Sequence, residues 1–224
     1  ISYKCGGCDY RYINYDFQLK LKKDVLINTL KDFKVNDIIK DDNPYYYRNK
    51  VQIPVKDHQM GFYRKFSNDV VVFDDCLIES KIANEIIADL KKILIEAKLD
   101  KYFRHILIKH GKGTNEVMVG FIVNSFDIDL SNVVDYLVEK YPNIKSIIMN
   151  LNDKDTNVIL GKEEKVLYGN DYIYDIYDGI KVKLSLKSFY QVNYEQMLKL
   201  YAKIKEFSNV SKNDDVLEVC FEGG

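Results

Sequence analysis

The strongest constraint on the fold is how the apolar period changes along the chain. From Ile82 to Ala97 it is helical: Ile82, Ala83, Ile86, Ile87, Leu90, Ile93, Leu94 and Ala97 form one stripe at three-and-four spacing, with Ser80 placed as an N-cap. On either side the pattern is that of strands. Asn49 to Val55, Met60 to Phe66 and Val70 to Phe73 are short alternating runs before the helix, and turn residues such as Asp57 and Asn68 separate them. Arg104 to Lys109 and Glu116 to Val123 follow it, around the glycine turn HGKGTN. Strands in direct succession pair antiparallel, whereas a parallel sheet needs a crossover between each pair. Helices that interrupt strands without strictly alternating with them predict an α+β fold with a mainly antiparallel sheet and flanking helices.

The remaining segments extend this pattern. Asp16 to Phe33 reads as a helix, with Phe17, Leu21, Val25, Leu26, Leu30 and Phe33 on one face and lysines on the other. Ser131 to Tyr141 is a further helix, followed by Pro142. Lys145 to Leu151, Val166 to Tyr168, Tyr172 to Asp175 and Lys181 to Leu186 read as strands. Gln191 to Phe207 is amphipathic through Met197, Leu200, Tyr201, Ile204 and Phe207. After it VLEVC reads as a buried strand entering a glycine pair, which is how a nucleotide-binding α/β unit begins.

At 224 residues and 46% hydrophobic content, the chain has enough for a real core in one large domain, or one and part of a second. Lys plus Arg number 33 and Asp plus Glu 34, so any surface for nucleic acid must be a local basic patch. No run approaches the ~18 apolar residues of a membrane span. With four cysteines and no visible signal peptide, the reading is cytoplasmic and reducing, where clustered thiols serve metal or redox chemistry. A first residue other than Met and a last stretch, VLEVCFEGG, that stops in mid-motif read as the marks of a fragment.

Three features could carry chemistry. Cys5 and Cys8 flank two glycines, and CxxC spacing lets two thiolates reach one metal. Three uses are open: a zinc site with two further ligands, a redox pair that would need a βαβ context absent here, and an iron–sulfur cluster with about four cysteines. Cys76 lies between a strand and the helix that follows, available as a third ligand, although a lone cysteine is by default a small buried apolar residue. Cys220 falls in the last apolar run, where burial is the simpler role. His105 and His110 are an odd number apart and face opposite sides of a strand; His58 sits in a turn.

In PYYYRNKVQ, Tyr45, Tyr46 and Tyr47 precede Arg48 and Lys50, and rings beside cations suit stacking on bases and contact with phosphates. The plainer account is core tyrosines beside solvated cations. In KSFYQVN, Phe189 offers a face for a base or cofactor ring, and Gln191 offers both donors and an acceptor, at what is otherwise an ordinary helix start.

Together these motifs resemble the RNA uracil-5-methyltransferase family, most closely its iron–sulfur branch, which methylates large-subunit ribosomal RNA. CGGCDYRYINYDFQLKLKK, PYYYRNKVQIPV, GFYRKFSNDVVVFDDC, RHILIKHG, NVILG and SFYQVNYEQMLKLY occur in the family's order, from Cys5 to about Tyr201. The family's cluster motif is similar to C-x5-C-x2-C with a distant cysteine. The resemblance makes Cys5, Cys8 and Cys76 three ligands of a 4Fe-4S iron–sulfur cluster, with the first ligand expected just before Ile1 and absent.

The resemblance further implies a central cluster-bearing RNA-binding domain, 1–180, and the truncated start of a Rossmann-like S-adenosylmethionine-dependent methyltransferase domain, 181–224. By the same route Gln191 touches S-adenosylmethionine, Phe189 lines the target uracil's pocket, and Arg48 and Lys50 contact RNA. The cofactor motif that should follow resembles D-x-Y-C-G-x-G, whereas this sequence reads EVCFEGG. Glu218 stands for the acidic start, and Gly223 and Gly224 take no role. The reaction implied is methylation of C5 of a uridine through a cysteine–C6 adduct. None of Cys5, Cys8, Cys76 or Cys220 matches the nucleophile's motif, so the expectation is an inactive, monomeric fragment that grips RNA. The alternatives are a non-catalytic iron–sulfur or zinc RNA-binding module, and a transfer RNA uracil-5-methyltransferase.

Overall fold

The computed structural model describes residues 4–154 and 156–217. Helix α1, Tyr15–Thr29, comes first, capped by Asn14, whose side chain accepts from Phe17 N. Strands β1 (Lys50–Lys56), β2 (Gln59–Tyr63) and β3 (Val70–Val72) follow, then helix α2 (Lys81–Glu96). Strands β4 (Phe103–His110) and β5 (Val117–Val123), helix α3 (Ser131–Lys140), and strands β6 (Ile144–Leu151) and β7 (Glu163–Gly169) complete the sheet. A hairpin of β8 (Tyr172–Tyr177) and β9 (Ile180–Ser185) leads into α4 (Tyr194–Ser208). No helix among the described residues is long and apolar enough to cross a membrane.

The fold is α+β. Seven strands form one sheet in the order β3-β2-β1-β4-β5-β6-β7. Every neighbouring pair is antiparallel except β5 and β6, which run parallel because α3 carries the chain back across the sheet between them.

Both faces of the sheet's centre are covered. On one side Ile53, Ile106, Ile108, Val119, Phe121 and Ile147 pack against Ile86, Ile87, Leu90 and Leu94 of α2 and Val133 and Leu137 of α3. On the other, Leu107, Met118, Ile122 and Ile148 meet Ile173 and Leu184 of the hairpin, together with Leu186. This explains why β5, VMVGFIV, is buried at every position rather than alternately. Gly120 allows the hairpin side to close down: a Cβ there would lie 2.5 Å from Leu186 Cδ1.

The structure departs from the sequence pattern in several places. Helix α1 ends at Thr29 and buries no residue; Phe17, Leu26, Leu30 and Phe33 are exposed among the described residues. β2 ends at Tyr63, and Phe66 turns out to solvent with φ 60. Helix α4 starts at Tyr194, not Gln191, because the Asn193 side chain caps it by accepting from Gln196 N. Of the expected last strand, Val216 and Leu217 are exposed and not in a strand, while Glu218, Cys220, Gly223 and Gly224 lie outside the described residues. The expected unit boundary between 180 and 181 lies at the start of β9, which pairs with β8 along six residues.

Candidate nucleic-acid interface

The segment that leaves β9 and enters α4 is held down at two places. Lys109 Nζ, from β4, donates to the carbonyls of Ser185 (2.6 Å) and Ser188 (2.7 Å). The Ser185 and Ser188 hydroxyls lie 2.8 Å apart and close the turn between them. Asn49, at the mouth of β1, then donates from its side chain to the Gln191 carbonyl and from its backbone to the Val192 carbonyl, each at 2.9 Å. Arg48 forms an isolated bridge with Asn193.

These tethers take backbone groups and leave two side chains available. Phe189 is 58% exposed, and the Gln191 side-chain amide has no hydrogen bond to a described residue. The strap therefore brings Phe189 and Gln191 beside Arg48 and Lys50, from a separation of some 140 residues in sequence.

The strap rests on two lysines of the central strands β1 and β4. Lys50 and Lys109 stand directly opposite each other in the β1–β4 register. Like charges so placed repel; the Ser185 and Ser188 carbonyls offset this at the buried Lys109, and Lys50, only half-buried, is the cation of the pair within reach of a ligand. Burial, and then Arg48, push the Lys50 ammonium below its usual range. Burial, and then Lys50, push Lys109 down to about 7, against a smaller pull from Glu164. Arg48 Nε donates to the Lys50 carbonyl at 2.9 Å and lies 3.5 Å from Glu79 Oε1. Burial dominates at Glu79 even so: it raises this carboxyl to about 8 despite the guanidinium.

Behind Arg48 lie the cysteines. The hook docks on the end of β2, where Gly6 N donates to the Tyr63 carbonyl at 2.9 Å. A Cβ on Gly6 would meet Lys65 N and Tyr63 O at 2.9 Å, so the position demands glycine. Gly7 N points at Cys5 Sγ, 3.4 Å away. Cys76 is braced from α2: its N–H donates to Asn84 Oδ1 at 2.9 Å, and Asn84 Nδ2 donates to its carbonyl at 3.0 Å.

Burial raises the Cys76 thiol to about 11, opposed by the N–H groups of Ile78 and Glu79. Burial first and Cys5 second raise that of Cys8. Cys8 thus lies within electrostatic reach of both other thiols, and all three cysteines are free and partly buried. Soft sulfur donors with N–H groups turned toward them are the right kind of set for iron or zinc. Among the described residues, however, no group of three or more His, Cys, Asp or Glu side chains is arranged to hold a metal ion.

The histidines stand apart from the thiols. His58 Nδ1 lies 2.7 Å from Asp100, His110 Nε2 lies 2.9 Å from Asn115, and burial drives His105 down to about 4.

Known proteins share this architecture. A solved tRNA (uracil-54, C5)-methyltransferase from Pyrococcus abyssi, in complex with S-adenosyl-L-homocysteine, superposes with a TM-score of 0.75 at 26% identity, over 91% of this chain and 50% of that one. An RNA methyltransferase of Bacillus cereus strain ATCC 10987, itself uncharacterized, is 34% identical over 234 residues, covering 96% of this chain and 51% of the relative. One from Staphylococcus aureus strain MRSA252 is 37% identical over 235 residues, with 96% and 52% covered. The chain is homologous to proteins named RNA methyltransferases. It spans about half the length of the curated relatives it matches. No protein-family model matches it.

Among these RNA methyltransferase homologues, then, Arg48, Lys50, Phe189 and Gln191 form one surface in this chain, with Cys5, Cys8 and Cys76 behind it. Sequence reasoning missed Asn49, Glu79 and Lys109. The one available signal was a lysine inside the otherwise apolar run HILIKH; Asn49 and Glu79 acquire their roles only through pairings distant in sequence.

Proposed function

We propose that this chain is the RNA-gripping part of an S-adenosylmethionine-dependent RNA uracil-5-methyltransferase, acting on ribosomal RNA. The observation that carries the reading is the strap that sets Phe189 and Gln191 beside Arg48 and Lys50 in a chain homologous to RNA methyltransferases. S-adenosylmethionine supplies an electrophilic methyl group. Gln191 orients it through its side-chain amide, and Phe189 stacks on the extruded target uracil, which must leave its helix to be reached. Arg48 and Lys50 take flanking phosphates. None of Cys5, Cys8, Cys76 or Cys220 matches the motif of the thiolate that adds to C6 and makes C5 nucleophilic, so this chain alone binds RNA without methylating it.

In this reading residues 1–180 form the RNA-binding unit, and 181–224 begin the methyltransferase unit. Cys5, Cys8 and Cys76 hold a 4Fe-4S cluster that braces the RNA surface from behind. The chain works as a monomer in the cytoplasm. A second substrate, transfer RNA, is favoured by the name of the Pyrococcus abyssi structure.

The test is fluorescence anisotropy of the 224-residue chain with labelled ribosomal RNA hairpins and with transfer RNA. The expected result is tighter binding of a ribosomal hairpin, weakened by Arg48→Gln and by Lys50→Gln, with no tritium passed from labelled S-adenosylmethionine. Preference for transfer RNA would select the second substrate, and failure to bind either RNA would overturn the reading.

A further inference from the structure

Next to the strap, a cavity of about 910 Å³ opens between the tyrosine run, the start of α2 and the β4–β5 turn. Its size falls within the ~300–1,000 Å³ usual for sites that take one small ligand. Tyr46 forms one wall in an unusual state. It is a non-glycine residue at φ 53, in the left-handed region. Every polar group it has is fixed. Its N–H donates to the Leu77 carbonyl at 2.7 Å, its hydroxyl donates to Asp75 at 2.8 Å, and its carbonyl accepts from Lys112 Nζ at 3.1 Å. Tyr45, its neighbour in sequence and also on the cavity wall, is 54% exposed.

The cavity is cationic on one side. Lys81 Nζ sits 5.3 Å from the centre of the Tyr46 ring, and Lys112 reaches in from the turn. Neither lysine forms an ion pair with a described residue; Glu195 is the carboxylate that Lys112 feels. The 16-residue helix α2 begins at Lys81 without a side-chain hydrogen bond capping it, which adds its own positive end. His110 is on the wall too, and its buried Nδ1 has no hydrogen-bond partner among the described residues. One carboxylate, Glu85, lines the cavity as an acceptor for amino hydrogens.

An aromatic face, two ammonium groups outside any ion pair with a described residue and a single carboxylate acceptor on the wall match one class of ligand, an unpaired nucleotide. We propose that this cavity is a second RNA subsite, separate from Phe189 and Gln191, that takes one unpaired nucleotide of the same strand. Its phosphate lies at Lys81 and Lys112, its base stacks on Tyr45, and Glu85 favours a base with an exocyclic amino group, cytosine, adenine or guanine, over uracil. The inference rests on the reading of the chain as an RNA binder. His110 N donates to the Asn49 carbonyl, so the cavity adjoins the same β1 mouth that holds the strap, and one strand can pass across both.

The experiment is anisotropy titration of the full chain with a fluorescein-labelled single-stranded RNA octanucleotide, over a range of salt. Tyr45→Ala should weaken binding ~5- to 100-fold, with Tyr45→Trp restoring it. Lys81→Gln combined with Lys112→Gln should lower the slope of log K against log salt by about 1.4, while the corresponding arginine pair keeps it. Octanucleotides rich in cytosine, adenine or guanine should bind more tightly than oligouridylate, and Glu85→Gln should narrow that gap. Unchanged melting temperatures establish that the variants fold. If Arg48→Gln weakens binding while the Tyr45 and lysine variants match wild type, the subsite is overturned and the RNA reading stands. If wild type binds no RNA, both fall.

Discussion

Lys109 donates from the centre of the sheet to the carbonyl of Ser188, 2.7 Å away, and is itself 3% exposed. A buried ammonium is costly to keep, and here its acceptors are the backbone of the strap that carries Phe189 and Gln191. Lys109→Met removes both bonds and leaves two carbonyls poorly satisfied, for a loss of about 1–3 kcal/mol in urea unfolding. The pH dependence has a definite sign. Burial lowers this lysine to about 7 in the folded chain, against its ordinary 10.5, so above pH 7 the unfolded chain binds more protons and stability rises with pH. The free-energy difference between wild type and Lys109→Met should therefore grow in wild type's favour from pH 7 to 9, by up to about 1.4 kcal/mol per unit. A difference that stays flat or shrinks would refute this account of the lysine.

Gly120 tests the other support of the strap. A Cβ at this position falls 2.5 Å from Leu186 Cδ1, and Leu186 is buried in the cluster beneath the hairpin, one residue before Lys187 and the strap. Leu186 is 1% exposed and its Cδ1 must be displaced, so Gly120→Ala should cost about 1–3 kcal/mol, the usual range for overpacking. Adding Leu186→Ala relieves the clash, so the double variant should be more stable than the sum of the two single losses predicts. Additive losses in thermal or urea unfolding would place the strain elsewhere.

How much of this could be read in advance depended on whether a feature was local. The α2 stripe was legible because helical spacing is written in neighbouring residues, and Ile86, Ile87, Leu90 and Leu94 are buried as that spacing requires. The same rule marked α1 as amphipathic, yet it buries no residue among those described, since periodicity says which face is apolar and not what covers it. Strand pairing was not legible. Lys50 meets Lys109 only once β1 has paired with β4, and the parallel β5–β6 pair depends on α3 crossing the sheet. The candidate site divides in the same way. Arg48, Lys50, Phe189 and Gln191 stood out as motifs, while Asn49 and Lys109, which hold them together, are side chains of ordinary type whose role is set by register.

Asn84 should be the most sensitive polar position near the cysteines. It is 7% exposed and bonds Cys76 in both directions, with further contacts from Nδ2 to the carbonyls of Glu79 at 3.3 Å and Ser80 at 3.4 Å. One amide thus pins the whole turn between β3 and α2 to the helix. Asn84→Ala should lose about 2–3 kcal/mol, because it strands buried backbone groups as well as deleting bonds. Asn84→Asp keeps the acceptor for Cys76 N but drops the donors and buries a charge, so it should be no better. If either variant unfolds at the wild-type urea midpoint, the turn is held by something other than this side chain.

The cysteines give the sharpest chemical test. Cys5 and Cys8 come from a hook pinned to β2 and Cys76 from a turn pinned to α2, so a bound group would tie together two parts of the chain distant in sequence. Anaerobic reconstitution with ferrous iron and sulfide should give a broad brown absorbance, with iron and acid-labile sulfide in comparable amounts. Cys76→Ser should abolish it, because serine cannot supply the soft thiolate. Reconstituted wild type should also melt at a higher temperature than the untreated chain, since a group that binds only the folded state stabilises it. Stoichiometric zinc with no sulfide would replace the iron–sulfur assignment by a structural zinc site. Absence of any bound metal would leave the three thiols as buried apolar side chains.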